Sequence, residues 1–193
     1  VDISDASPVA ADPTPSVRVG RRSLVVLAGV PGAGKSTVLA KMRSGEDVVR
    51  LDSEQVRARL RALSPGIPYR YYRPLVHLLH RSRILWSCLV GRGPVVAHEP
   101  ATRASTRLML LVFARLSGRR TVLLWLHADA DSALDGQRAR GRLIRSSSFQ
   151  RHVLRAERMH RRLLAGERLI GWRRVHLFTR SQVAGGLRLD VET

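Results

Sequence analysis

Short apolar runs alternate with amphipathic stretches along most of the chain. Leu24-Val25-Val26-Leu27-Ala28 is a continuous apolar run of strand length, the pattern of a strand buried on both faces. From Lys35 to about Arg43 the period becomes helical. Val48 to Leu51 is a second, short strand, and Val56, Leu60 and Leu63 then recur at helical spacing. Leu75, Leu78, Leu79, Leu85 and Leu89 mark a longer helix that begins near Pro74, since proline suits a first helical turn. Pro94 to Ala97 is a third strand, Thr106 to Leu116 a helix ended by Gly118, and Thr121 to His127 a fourth strand. Asp131 or Ser132 caps the next helix, which ends at Gly141, because both types accept from helix N–H groups. A basic turn leads to a helix from about Phe149 to Leu164, and Arg174 to Thr179 is a fifth strand. Strands alternating with helices predict a parallel sheet with helices on both faces.

The first 22 residues break the pattern. They are rich in Ala, Pro, Ser and Asp, with no helical period. They read as a disordered tail over 1–22, leaving one folded domain over 23–193. A chain of 193 residues suits one domain and is long enough to bury a core. No apolar run approaches membrane-spanning length, and the start lacks the charge and apolar order of a signal peptide. With Cys88 as the single cysteine, a reduced, cytoplasmic setting with no membrane partner is expected.

Charge adds a constraint on partners. Lys and Arg number 34 against 15 Asp and Glu, a formal +19. Lys35 and Lys41 are the only lysines, so the other 32 basic residues are arginines. Arginine forks match phosphate oxygens bidentately, so nucleotides, phosphorylated metabolites and nucleic acid are the partners such a surface favours.

One of the lysines falls in the most informative segment. Gly29-Val30-Pro31-Gly32-Ala33-Gly34-Lys35-Ser36 fits the phosphate-loop pattern without a gap, between an apolar strand and a helix. The glycines let backbone N–H groups turn toward phosphate oxygens. Lys35 should reach the β- and γ-phosphates, and the Ser36 hydroxyl should ligate Mg²⁺. The helix that opens there points its positive end at the anion. ATP with Mg²⁺ is the expected ligand, and Thr37 completes the binding segment.

With that loop, the chain resembles the P-loop small-molecule and polynucleotide kinases over about residues 23–182, as an AAA-type, kinase-like member of the P-loop NTPase superfamily. In that family the second strand commonly ends in an acid followed three residues on by an arginine. Here Glu54-Gln55-Val56-Arg57 matches, preceded by Asp52. The family's fourth strand leads through an acidic turn to a helix ending Arg-Ala-Arg-Gly, and here Asp129 and Asp131 lead to Arg138-Ala139-Arg140-Gly141. The chain departs from the family in carrying Glu where Asp is usual at Glu54, and in ending its third strand on His98-Glu99-Pro100. The resemblance implies a five-stranded parallel sheet, an arginine-rich lid, and transfer of the γ-phosphate to a hydroxyl on a small molecule or a nucleic-acid end. A nucleotide hydrolase acting as a switch, or an ATP-regulated nucleic-acid binder, are the alternatives.

Phosphoryl transfer needs a carboxylate near the incoming hydroxyl and cations over the transferring group. Asp52 and Glu54 lie just past a strand's carboxyl end, where open α/β sheets bind ligands. Asp52 also reads as a helix cap, and Glu54 as a first-turn acid facing the dipole. Arg57 shares a helix face with Glu54. Glu99 is a candidate base or Mg²⁺ holder at the end of the third strand, while His98 reads as a packing or hydrogen-bonding residue. Arg138, which follows Leu134 by four residues and so shares its core-meeting face, forms the candidate lid with Arg142 and Arg145. Arg151, Arg155, Arg158 and Arg162 make a second stripe opposite Phe149, Val153, Ala156, His160 and Leu163, expected to face water, with nucleic-acid contact as the competitor. His77 and His80 read as ordinary packing rather than metal ligands.

Overall fold

A computed structural model describes residues 14–139 and 146–192. Its elements are β1 (Ser16–Gly20), β2 (Ser23–Ala28), α1 (Lys35–Lys41), β3 (Arg43–Ser44), β4 (Val49–Asp52), α2 (Ser53–Leu63), α3 (Tyr69–Val90), β5 (Val95–His98), α4 (Ala104–Leu116), β6 (Arg120–His127), α5 (Ala130–Arg138), α6 (Ser146–Leu164), β7 (Arg174–Thr179) and β8 (Arg188–Glu192).

Five strands form one parallel sheet in the order β4-β5-β2-β6-β7, with helices on both sides. β2 is the middle strand, and every one of its residues is buried. That is why its sequence is a continuous apolar run rather than an alternation. The chain leaves β2 for the β4 edge, returns through β5, and then crosses to β6 on the other side of β2. The crevice beyond the carboxyl ends of the strands opens at this reversal, where such sheets bind ligands.

A second, three-stranded parallel sheet has the order β1-β8-β3. It corrects the expectation of a tail over residues 1–22. Val17 and Val19 are buried while Ser16 and Arg18 are exposed, the period-2 alternation of a half-buried strand. The partner strand lies at the far end of the chain, with Val17 opposite Leu189, so nothing local announced the pairing. Residues 1–13 lie outside the described residues.

Two helix starts also differ from expectation. α3 begins at Tyr69, five residues before Pro74. Its first turn is pinned by the Arg57 guanidinium 4.3 Å over the Tyr69 ring, and by Tyr69 and Tyr72 meeting edge-on at 5.3 Å. α5 is capped by Asp129, whose carboxylate accepts from the Ser132 N–H at 2.8 Å. An aspartate reaches the N–H three residues on, which puts the cap ahead of Asp131 and Ser132. α5 is described as far as Arg138, so the expected end at Gly141 lies outside the described residues.

Arg119 ties three of these pieces together. It is buried, and its guanidinium donates to the carbonyls of Cys88 (2.7 Å), Gly91 (2.5 Å), Gly93 (2.8 Å), Ser23 (3.3 Å) and Ser87 (3.4 Å). Carbonyls at a helix C-terminus have no intrahelical partner. Here one cation satisfies those ending α3 and holds them against the start of β2 and the approach to β5. No helix of the described residues is long and apolar enough to cross a membrane.

Candidate active site

The loop after β2 wraps the N-terminus of α1. Gly34 caps that helix with φ 99°, and Gly32 stands at φ 95°, a region that L side chains rarely enter. At Gly32 a side chain is barred twice over, since a Cβ would run into the backbone carbonyl of Ala133 on α5. α5 therefore packs backbone to backbone on the loop and buttresses it, helped by Gln137 donating to the Pro31 carbonyl at 3.3 Å.

Lys35 is buried and folded into the loop, its ammonium donating to the carbonyls of Gly29 (3.0 Å) and Val30 (2.7 Å). A cation, a helix N-terminus and left-handed glycines thus meet in one loop. That is the chemistry a triphosphate requires.

On the β4–β5 side, three acids were candidates, and the structure separates them. β4 and β5 pair in register so that Asp52 lies directly opposite His98. One Asp52 oxygen is 2.9 Å from His98 Nδ1, and the other accepts from the Glu54 N–H at 3.0 Å as the cap of α2. The Ser36 hydroxyl stands beside the same carboxylate. Burial pushes the Asp52 carboxyl up, but His98, the Glu54 N–H and Ser36 outweigh it and hold it well below the usual carboxylate range. Asp52 therefore caps α2 and stands beside the phosphate loop.

Glu99 follows β5 directly and is buried, with Arg81 Nε 3.4 Å from its carboxylate. Burial raises its pKa, and the charges of Arg81 and Lys35 pull only partly the other way. The Gly29 N–H donates to the carbonyl of Pro100, the next residue, at 3.1 Å, so Glu99 borders the phosphate loop. Glu54 sits on the first turn of α2, half-exposed and 3.7 Å from Arg57. The pair shares a helix face as its spacing implied, and Arg57 is also stacked on Tyr69.

The lid candidates fare differently. Arg138 does not share the core-facing line of α5. It is exposed and paired with Asp135 at 3.0 Å, because the buried line runs through Ala133 and Gln137, one residue out of step. Arg142 and Arg145 lie outside the described residues. In the second arginine stripe Arg151, Arg158 and Arg162 are exposed, as expected of a solvated face, and Arg155 is half-buried. Arg155, Arg158 and Arg162 also line an open groove shared with the start of α4.

His80 does more than the packing expected of it, and His152, for which no role was expected, stands in the same region. His80, fully buried, meets the His98 carbonyl through Nε2 at 3.2 Å, which adds a second layer behind Asp52. Burial pushes its pKa down to about 4. His152 of α6 contacts the Thr102 hydroxyl at 2.9 Å. Burial, with the charges of Arg103, Arg155, Lys35 and Arg73, lowers it to about 4 as well. The signal for His152 was its place three residues after Phe149 and four before Ala156, at the edge of the buried stripe.

The model of the AAA domain family matches residues 24–164, which is most of the described fold and includes every site residue above. The chain belongs to the AAA domain family. No curated protein matches this AAA domain chain. Among solved structures, the tunicamycin resistance protein of Deinococcus radiodurans is 15% identical over 86% of this chain and 88% of that one, with a TM-score of 0.53. A chain from the PezAT chromosomal toxin-antitoxin system of Streptococcus pneumoniae is 12% identical, covering 84% and 70%, with a TM-score of 0.59. One from the Pnkp1/Rnl/Hen1 RNA repair complex is 17% identical, covering 81% and 49%, with a TM-score of 0.54. At such identities the likeness is one of fold alone, an α/β architecture with a parallel five-stranded sheet.

Proposed function

We propose that this chain is an ATP-dependent phosphotransferase whose acceptor is a hydroxyl. The observation that carries the reading is the Asp52 carboxylate at the carboxyl end of β4, beside Ser36 of the phosphate loop and held by His98 Nδ1 at 2.9 Å and the Glu54 N–H at 3.0 Å. A switch hydrolase needs a residue to orient water, whereas a buried carboxylate aimed at the loop suits an incoming hydroxyl.

The loop N–H groups, the N-terminus of α1 and Lys35 hold the phosphates of ATP. Lys35 exchanges its two loop carbonyls for phosphate oxygens. The Ser36 hydroxyl and the Glu99 carboxylate would supply hard oxygen donors of the kind Mg²⁺ takes. Bound there, the ion would draw charge from the β- and γ-phosphate oxygens. Asp52 orients the acceptor hydroxyl and takes its proton as the new oxygen–phosphorus bond forms and the bond to the β-phosphate oxygen breaks. His98 and the Glu54 N–H keep that carboxylate aimed. Glu54 and Arg57 flank the acceptor's approach, and Arg142 and Arg145 would supply the lid cations.

The test is a transfer screen with γ-labelled ATP over nucleic-acid ends, nucleosides, sugars and amino alcohols. Label on an acceptor supports the reading. Steady release of inorganic phosphate with no acceptor labelled overturns it in favour of a hydrolase.

A further inference from the structure

The first turn of α4 and one face of α6 flank an open surface groove of about 480 Å³. Five arginines line it: Arg103 and Arg107 from the α4 side, Arg155, Arg158 and Arg162 from α6. No carboxylate is among its lining residues. Glu167 engages Arg162 at 2.6 Å from outside the lining, and Arg107 donates to the carbonyls of Ala101 and Thr102. Like charges pressed together cost free energy unless an anion compensates.

Three further observations mark the cavity as built for an anion. One terminal guanidinium nitrogen of Arg155 is buried with no hydrogen-bond acceptor among the described residues, and a buried donor left unmet costs about 1–3 kcal/mol. α4 starts on Arg103, with no side-chain cap and no acid in its first turn, so its leading N–H groups lack the usual acceptor. The cavity also adjoins the reaction centre. Thr102 lines it and contacts His152 at 2.9 Å, and two residues before Thr102 the Pro100 carbonyl accepts from the Gly29 N–H of the phosphate loop at 3.1 Å.

We propose that this cavity is a phosphate-binding groove that takes two or more linked phosphates of the acceptor. Along α6, Arg155 to Arg162 spans two helical turns, roughly 10 Å. That is more than one phosphate covers, and bidentate guanidinium–phosphate pairing uses arginines spaced in this way. The acceptor is accordingly a phosphate-bearing molecule, and the shared chemistry is a run of phosphodiester or phosphoanhydride groups. The proposal rests on the phosphotransferase reading for what the ligand does, not for whether it binds.

The experiment measures anion binding without nucleotide, in the wild-type chain and in Lys35→Ala, which removes the phosphate loop's cation. The probes are a fluorescein-labelled single-stranded oligonucleotide, read by anisotropy, and inorganic tripolyphosphate, read by calorimetry. Arg103→Gln with Arg158→Gln, both at exposed positions, should weaken binding at least tenfold in either background and lower the salt slope for the oligonucleotide by about 1.4. Arg61→Gln with Arg151→Gln removes the same charge outside the cavity and should change affinity less than twofold. Loss of oligonucleotide binding identifies a nucleic-acid strand as the source, and loss for tripolyphosphate alone a small polyphosphate. Equal losses in the two charge-matched pairs, or no binding of either probe, would overturn the groove. Because no ATP is present, a failed transfer screen leaves this result standing, and the reverse holds too.

Discussion

Replacing Asp52 with Asn isolates the carboxylate's chemistry from its structural part. Asn caps helices about as well as Asp, so the bond from the Glu54 N–H, 3.0 Å in the wild type, survives and α2 keeps its start. The negative charge beside Ser36 and His98 is lost. An amide cannot take the acceptor's proton, and losing a positioned acid or base slows transfer by about 10² to 10⁴. At roughly 1.4 kcal/mol per tenfold, that raises the barrier by about 3–5 kcal/mol. ATP binding should hold or tighten, because an anion near the phosphates has been removed. Asp52→Ala adds loss of the cap, about 1 kcal/mol of stability, with the same loss of rate. Single-turnover transfer of γ-labelled phosphate reads the rate, calorimetry the ATP affinity, and a thermal melt the cap. An Asn variant that transfers within threefold of wild type refutes the assignment, and Glu54→Gln and Glu99→Gln in the same assay then decide between the remaining acids.

Three other consequences concern the frame around the site. Arg119→Leu leaves five carbonyls without their cation, so it should destabilise by about 3–5 kcal/mol and lower the melting temperature by roughly 10 °C; a shift under two degrees would contradict the tie. Gly32→Ala forces a Cβ onto the Ala133 carbonyl at φ 95°, so ATP binding should fall at least tenfold in a titration, and unchanged affinity would show that the loop does not sit on α5 as described. His80 and His152 ionise near pH 6.5 when unfolded but only at about 4 when folded. The unfolded chain therefore binds more protons between those values, and stability is intact above pH 6.5 and lost as pH falls toward 4, by a few kcal/mol. Urea unfolding from pH 7 to 4.5 measures this, in a Glu99→Gln background because the raised Glu99 pKa acts in the opposite sense. A flat profile would contradict the buried, neutral histidines.

The parts legible in the sequence were those set by local pattern. The five strands of the main sheet announced themselves through apolar runs, and the loop from Gly29 to Ser36 through glycine spacing ahead of a helix. What stayed hidden depends on pairing across the chain. Val17 and Val19 alternate correctly for a strand, but their partner is Leu189 and its neighbours, and a lone five-residue alternation beside prolines reads as tail. The acids at the end of β4 could be named but not ranked, because ranking needs the register that sets Asp52 opposite His98. The solvated stripe on α6 was legible from its spacing, but α6 alone does not reveal that Arg155, Arg158 and Arg162 share an open groove with Arg103 and Arg107.

The most direct test of the account is calorimetric titration of ATP in Mg²⁺ into the wild-type chain and into Lys35→Ala. The wild type should bind with micromolar affinity, about −8 kcal/mol, and Lys35→Ala should bind at least a hundredfold more weakly, because no other lysine lies in the loop. Absence of heat at millimolar ATP from folded wild-type protein, or equal affinity in the two chains, would contradict a nucleotide seated on Gly29 to Ser36.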